Sequence, residues 1–216
     1  MKKALITGAS RGIGRAIAED LGKDHHIYAG ASKDASDIVA ALPSAEPFEA
    51  DLTDTDAILE AASNIEELDV LVLAAGVMDG GLLEELTDDK WREMMEVNLF
   101  APVTLTRALL PALRRSSGLI ITINSGAGFH GMAENSAYCA SKFALRGFTE
   151  SLAQEEAGKV RVTSLHPGRT DTDMLAGDNG RPKMAAEEVA KAARLAVDAG
   201  PDAVVEFLRV RPSLTS

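Results

Sequence analysis

Tyr138 and Lys142 stand four residues apart in Tyr-Cys-Ala-Ser-Lys, and Ser125 lies thirteen residues before Tyr138, at the end of an apolar run. Residues at i and i+4 share a helix face, so this spacing brings the Lys142 ammonium close to the Tyr138 phenol. With Ser125 they could gather a phenol, a cation and a hydroxyl around one reacting oxygen. A phenol of pKa near 10 is a poor base at neutral pH. A nearby cation that lowers it by about three units, on the order of 4 kcal/mol, would make it a usable acid–base group near pH 7. Alone the pair is a weak signal, because such spacing often arises by accident.

A second constellation adds weight. Residues 7–14 read Thr-Gly-Ala-Ser-Arg-Gly-Ile-Gly, directly after a short apolar run and at the start of a helical pattern. Glycines at a strand-to-helix junction permit a tight turn and close approach of a pyrophosphate, which unpaired N–H groups and the helix dipole then hold. A glycine-rich stretch elsewhere would read as a flexible turn; at this junction the nucleotide reading is the stronger one.

The elements that must position these groups alternate along the chain. Strands are expected at 3–7, 26–29, 47–50, 70–74, 118–123, 160–165 and 203–208, and helices at 12–21, 35–42, 54–63, 88–113, 136–156 and 185–199. The runs 70–73 and 119–123 are apolar almost throughout, as expected when helices cover both sheet faces. The alternation predicts an α/β fold, a parallel sheet wound on both sides. Pro111 is expected to kink or end its helix. Segment 171–183, with its Gly, Asp, Asn and Pro, reads as a loop.

Composition sets the bounds. The 216 residues suit one domain, 46% hydrophobic and 25% charged. A net charge of −11 argues against general binding to nucleic acid or anionic membranes. One cysteine allows no internal disulfide, and the opening apolar run breaks at Gly8, too short for a signal-peptide core. No stretch is long enough to span a bilayer, so the chain reads as cytoplasmic.

Taken together, Thr-Gly-xxx-Gly-x-Gly, the Ser to Tyr-xxx-Lys spacing, and Pro167-Gly168 after a late strand resemble the short-chain dehydrogenase/reductase family over nearly the whole chain. The resemblance implies a single domain, 1–216, with a Rossmann-type, doubly wound parallel sheet of seven strands. It also implies NAD(P)(H)-dependent interconversion of a small-molecule carbonyl and an alcohol.

By the same resemblance Tyr138 donates the proton in reduction and accepts it in oxidation. Lys142 lowers the Tyr138 pKa and binds the nicotinamide ribose, Ser125 polarises the carbonyl, and Asn98 holds a relay water. The alternative for Asn98 is a buried amide satisfied among the helices. Gly8, Ser10, Arg11, Gly12, Ile13 and Gly14 would cradle the pyrophosphate. Asp51 and Leu52 would meet adenine, unless Asp51 only shapes its turn, where Thr53 is the stronger helix cap. Leu73-Ala74-Ala75-Gly76 occupies the place of the family's usual Asn-Asn-Ala-Gly: Ala75 and Gly76 would still give the cofactor a close backbone approach, but both asparagines are missing, so polar support must come from elsewhere. Pro167, Gly168, backbone at Thr170, and Thr172 would pass beside the nicotinamide; a plain turn is the alternative.

Cofactor choice rests on the end of the second strand. Ala31 stands where a carboxylate would hold a 2′-hydroxyl, followed by Ser32 and Lys33, and Arg11 matches a basic position of NADP-preferring members. NADP(H) is expected, with NAD(H) the alternative if Asp34 turns to the ribose. Cys139 reads as packing, and His25, His26 and His166 lack metal-ligand spacing, so no metal is expected. His130 is a candidate substrate contact; Met78, Met132 and Met174 are adaptable walls or packing. The short loop 171–183 suggests an open, tolerant substrate cleft. Analogy suggests a homodimer or homotetramer through 99–113 and 143–152. The competing class is a non-catalytic, dinucleotide-binding or sensing Rossmann protein.

Overall fold

The computed structural model describes residues 1–177, 180–200 and 202–213. Seven strands, β1 (Lys2–Ile6), β2 (His25–Ala31), β3 (Ala45–Glu49), β4 (Val70–Leu73), β5 (Leu119–Ile123), β6 (Arg161–Pro167) and β7 (Phe207–Val210), form one sheet. Their order is β3-β2-β1-β4-β5-β6-β7, and every pairing is parallel.

Period-2 alternation sorts the buried side chains into two layers. Ala4, Ile6, Val70, Val72, Leu119 and Ile121 enter one core, with residues of α1 (Gly12–Leu21), α2 (Ser36–Ala41) and α7 (Ala186–Val197). Leu5, Leu71, Leu73 and Ile120 enter the other, with residues of α3 (Thr55–Ala62), α5 (Ala101–Ser116) and α6 (Ser136–Glu155). This is the doubly wound architecture that the apolar strands predict.

Three local expectations shift. The strand expected at 203–208 pairs only from Phe207 to Val210, because 205 and 206 reach β6 through single carbonyls: Val205 C=O accepts from Thr163 Oγ1 and Glu206 C=O from Ser164 N–H. Helix 88–113 is really α4 (Asp88–Met95), a wide π turn (Glu96–Phe100) and α5, which passes Pro111 and ends at Ser117, φ +51°. Pro111 is exposed and the Arg107 carbonyl it deprives lies on an exposed residue, so water replaces the lost bond. Asp54, not Thr53, caps α3, accepting from the N–H groups of Asp56 and Ala57.

Sheet order reverses direction between β1 and β4, so their C-terminal ends leave a crevice between diverging connections. Asp171 N–H bonds Met184 C=O and Met184 N–H bonds Arg169 C=O, closing the neck of the 171–183 loop; of that loop, 178–179 fall outside the described residues.

Candidate active site

The crevice is a cleft of about 610 Å³, lined by Gly8, Ser10, Arg11, Gly12, Ile13 and Gly14 on one side and Ala75, Gly76 and Val77 on the other. Ala31, Ser32, Asp51 and Leu52 line one end, and Thr172 and Asp173 lie across the glycine turn. Gly8 sits at φ +67°, and a Cβ there would come within 3.0 Å of Ala75 Cα. A Cβ on Gly14 would lie 2.2 Å from the Gly8 carbonyl oxygen. Helix α1 starts at Gly12 with no side-chain cap and no acid in its first turn, leaving its N–H groups for an anion. These features fit a dinucleotide pyrophosphate.

The support once given by missing asparagines comes from Thr7. Its hydroxyl accepts from Ala74 N–H at 2.9 Å and Ala75 N–H at 3.0 Å while donating to Val72 C=O at 3.4 Å. Asn98 clamps the next residue: Oδ1 accepts from Val77 N–H and Nδ2 donates to Val77 C=O, both at 2.9 Å, with Ser141 Oγ a further acceptor at 3.0 Å. Asn98 is 1% exposed and its side-chain amide is engaged at both ends. Its backbone is different. Pro102, four residues on, has no N–H to return to the Asn98 carbonyl, and the helix widens here, with Ala101 N–H reaching back to Glu96 C=O.

Tyr138, Lys142 and Ser125 converge. Ser125 lies near enough to Tyr138 to pull its pKa down, and the Lys142 ammonium lies 5.7 Å from the Tyr138 ring centre. Lys142 Nζ donates to Ile123 C=O at 3.2 Å and is 3.7 Å from where a Gly76 Cβ would stand, so the cluster adjoins the cleft. Ser125 Oγ also accepts from Ala127 N–H at 3.1 Å. Asn124 braces both neighbours, accepting from Ser125 N–H and donating to Lys142 C=O.

Electrostatically the pair differs from expectation. Burial pushes the Tyr138 phenol above its ordinary pKa, and the nearby Ser125 side chain only partly opposes this. Burial also lowers Lys142 to about 8. Desolvation outweighs the pull of Ser125, so the Tyr138 phenol keeps its proton at neutral pH. Met94, Ala127, Ala137 and Cys139 cluster with it, so Cys139 is a packing residue, while Met78 both packs on this cluster and lines the cleft.

Arg11 reaches across to Asp173, 3.5 Å away, with both side chains largely exposed, a weak tie that can exchange for another anion. Asp34 accepts from Ser36 N–H at 2.8 Å within its own turn. Asp51 likewise accepts from Thr53 N–H and Oγ1 within its turn, and Lys33 is near enough to lower its pKa. Pro167 and Gly168 follow β6, and Thr170 Oγ1 folds back on Gly168 C=O at 3.1 Å. Thr172 packs on the glycine turn, its Cγ2 3.2 Å from where a Gly12 Cβ would stand. His166, set aside in the sequence, backs the site: Nδ1 contacts Ser125 C=O at 3.2 Å and Nε2 contacts Ser164 Oγ at 2.7 Å.

A profile described as short chain dehydrogenase matches residues 2–182. The chain belongs to the short chain dehydrogenase family. It is thereby an NAD(P)-dependent oxidoreductase acting between CH–OH and C=O groups. Among curated relatives, the 3-oxoacyl-(acyl-carrier-protein) reductase FabG of Salmonella typhimurium is 38% identical, the match covering 80% of this chain and 75% of that one. An uncharacterised oxidoreductase of Staphylococcus saprophyticus is 34% identical, covering 98% and 97%. Among solved structures, an alcohol dehydrogenase from the archaeon Thermococcus sibiricus, complexed with 5-hydroxy-NADP, superimposes with TM-score 0.91 at 29% identity, covering 100% of this chain and 98% of that one. A metagenomic short-chain oxidoreductase in complex with NADP gives 0.85 at 34% identity, covering 99% and 98%. Among the described residues of this family member, no helix is long and apolar enough to cross a membrane.

Proposed function

We propose that the whole chain, 1–216, is one catalytic domain that reduces a small-molecule carbonyl to an alcohol with NADP(H), with Tyr138 as the proton donor. The observation that carries this is the convergence of Ser125, buried Tyr138 and buried Lys142 beside a cleft whose glycine turn fits a dinucleotide.

The glycine turn and the first N–H groups of α1 hold the pyrophosphate. Ala31, with Ser32 and Lys33 following, supplies no carboxylate for a 2′-hydroxyl and leaves room and charge for a 2′-phosphate. The NADP-bound state of structures similar to this chain supports that choice. When bound, the reduced cofactor supplies the hydride. Ser125 donates a hydrogen bond to the substrate oxygen and stabilises its developing charge. Tyr138, kept protonated by burial, delivers its proton to that oxygen, and Lys142 compensates the phenolate left behind. The Asn98 carbonyl, which Pro102 cannot satisfy, holds the water that returns the proton.

Exposed Phe100 and Phe143, beside and on the helices α5 and α6, support a homodimer or homotetramer. A sensing protein would need none of the acid–base groups. The test is Tyr138→Phe: loss of carbonyl-dependent NADPH oxidation by at least about a hundredfold, with NADPH affinity kept. Undiminished turnover would remove Tyr138 from the reaction.

A further inference from the structure

Beyond the acid–base cluster, the last strand brings cations to the far side of Ser125. Phe207, Arg209 and Arg211 alternate at i, i+2 and i+4 and so share one face. The first two meet the loop that follows Ser125: the Phe207 ring centre is 5.5 Å from that of Phe129, and the Arg209 guanidinium is 5.5 Å from the Phe129 ring. Arg146 covers the same ring at 4.2 Å but is paired with Glu150 at 2.7 Å.

Arg211 has a different environment. Gly168 N–H bonds Val210 C=O at 2.6 Å, extending the ladder past β6 and laying the Arg211 backbone and stem against Gly168. From there the side chain crosses the end of β6 toward β5. Its Nη2 is 4.0 Å from where a Gly126 Cβ would stand, and Gly126 directly follows Ser125. Among the described residues Arg211 has no hydrogen bond or ion pair, and it is exposed.

Its place in the sheet excludes the cofactor phosphates. The 2′-phosphate position lies at the end of β2, five strand spacings from β7, roughly 24 Å away at about 4.8 Å per spacing. In a chain of net charge −11, an anion arriving beside Ser125 needs a local cation. We propose that Arg211 anchors the anionic group of the substrate, and that the substrate class is a small oxo acid whose carboxylate lies within roughly 8 Å of its carbonyl, one residue step of about 3.8 Å plus the guanidinium reach. The fork geometry of the guanidinium suits a carboxylate bidentately.

This rests on the oxidoreductase reading, and the experiment separates the two. NADPH oxidation is followed with acetoacetate and levulinate, each beside its neutral methyl ester, and with neutral aldehydes. The native protein should favour each acid over its ester at least tenfold in kcat/KM, chiefly through KM, with the preference shrinking as salt rises. Arg211→Gln should lower the acid-to-ester ratio about tenfold, and Arg211→Lys by less. An unchanged ratio in Arg211→Gln, or turnover of aldehydes and esters in preference to acids by the native protein, would overturn the anchor. Failure of every carbonyl to oxidise NADPH, with NADPH still bound, would overturn the oxidoreductase reading itself and the anchor with it.

Discussion

Replacing Lys142 by methionine should make the protein more stable and inactive at once. Lys142 is 4% exposed and its pKa falls to about 8 from 10.5. The difference, 10.5 − 8 = 2.5 units at about 1.4 kcal/mol each, is a penalty of about 3.4 kcal/mol for keeping the folded lysine charged. The folded chain binds this proton less tightly than the unfolded chain. Between pH 8 and 10.5 the unfolded state therefore holds more protons, and stability rises with pH. Below pH 8 the full penalty is present; above 10.5 it is gone. Methionine keeps much of the stem but loses the bond to Ile123 C=O, at a cost of about 1 kcal/mol. At pH 7 the variant should be about 2 kcal/mol more stable. By pH 10 its advantage should shrink by about 2.5 kcal/mol, because the native lysine is then mostly free of its penalty. Other titrating groups cancel between the two proteins. Urea unfolding of both at pH 7 and pH 10 measures this, with NADPH oxidation assayed alongside. A methionine variant less stable at pH 7, or a stability difference that does not move with pH, would refute the reasoning.

Two further substitutions test the cofactor side. Gly14→Ala drives a methyl into the Gly8 carbonyl at 2.2 Å, so the turn must move; NADPH affinity in a fluorescence titration should fall at least about tenfold, about 1.4 kcal/mol, and unchanged affinity would deny the turn its role. Ala31→Asp installs the missing ribose-binding carboxylate, so the NADPH-to-NADH ratio of kcat/KM should fall about tenfold or more; a ratio that stays put would show that β2 does not set the preference.

Most of the scaffold was readable from local pattern. The glycine turn announces itself because Gly8 must take φ +67°, and β4 and β5 do so because both of their faces are covered. What escaped reading acts across the fold. Thr7 looks like an ordinary strand-end residue until its hydroxyl meets Ala74 and Ala75, 67 and 68 positions away. Asn124 and Ser141 are short polar side chains that meet distant partners: Asn124 the Lys142 carbonyl on α6, Ser141 the Asn98 amide in the π turn. The Tyr138–Lys142 spacing is informative about proximity but not about electrostatics: a sequence shows the cation, whereas the desolvation that raises the phenol's pKa depends on what the tertiary fold buries. Arg211 gains its interest only because topology sets β7 two strands from β5.

The polar links from Thr7 to Ala75, from Val77 to Asn98, from Asn98 to Ser141 and from Ser141 to the Tyr138 carbonyl form an unbroken brace between the glycine turn and α6. Every member is short and buried or half-buried, with no long flexible side chain among them. The brace therefore works as a gauge block, setting the span from the anion seat to the phenol independently of how the outer helices drift. Sequence change at the periphery can reshape what enters the cleft while the working distance of the machine stays the same.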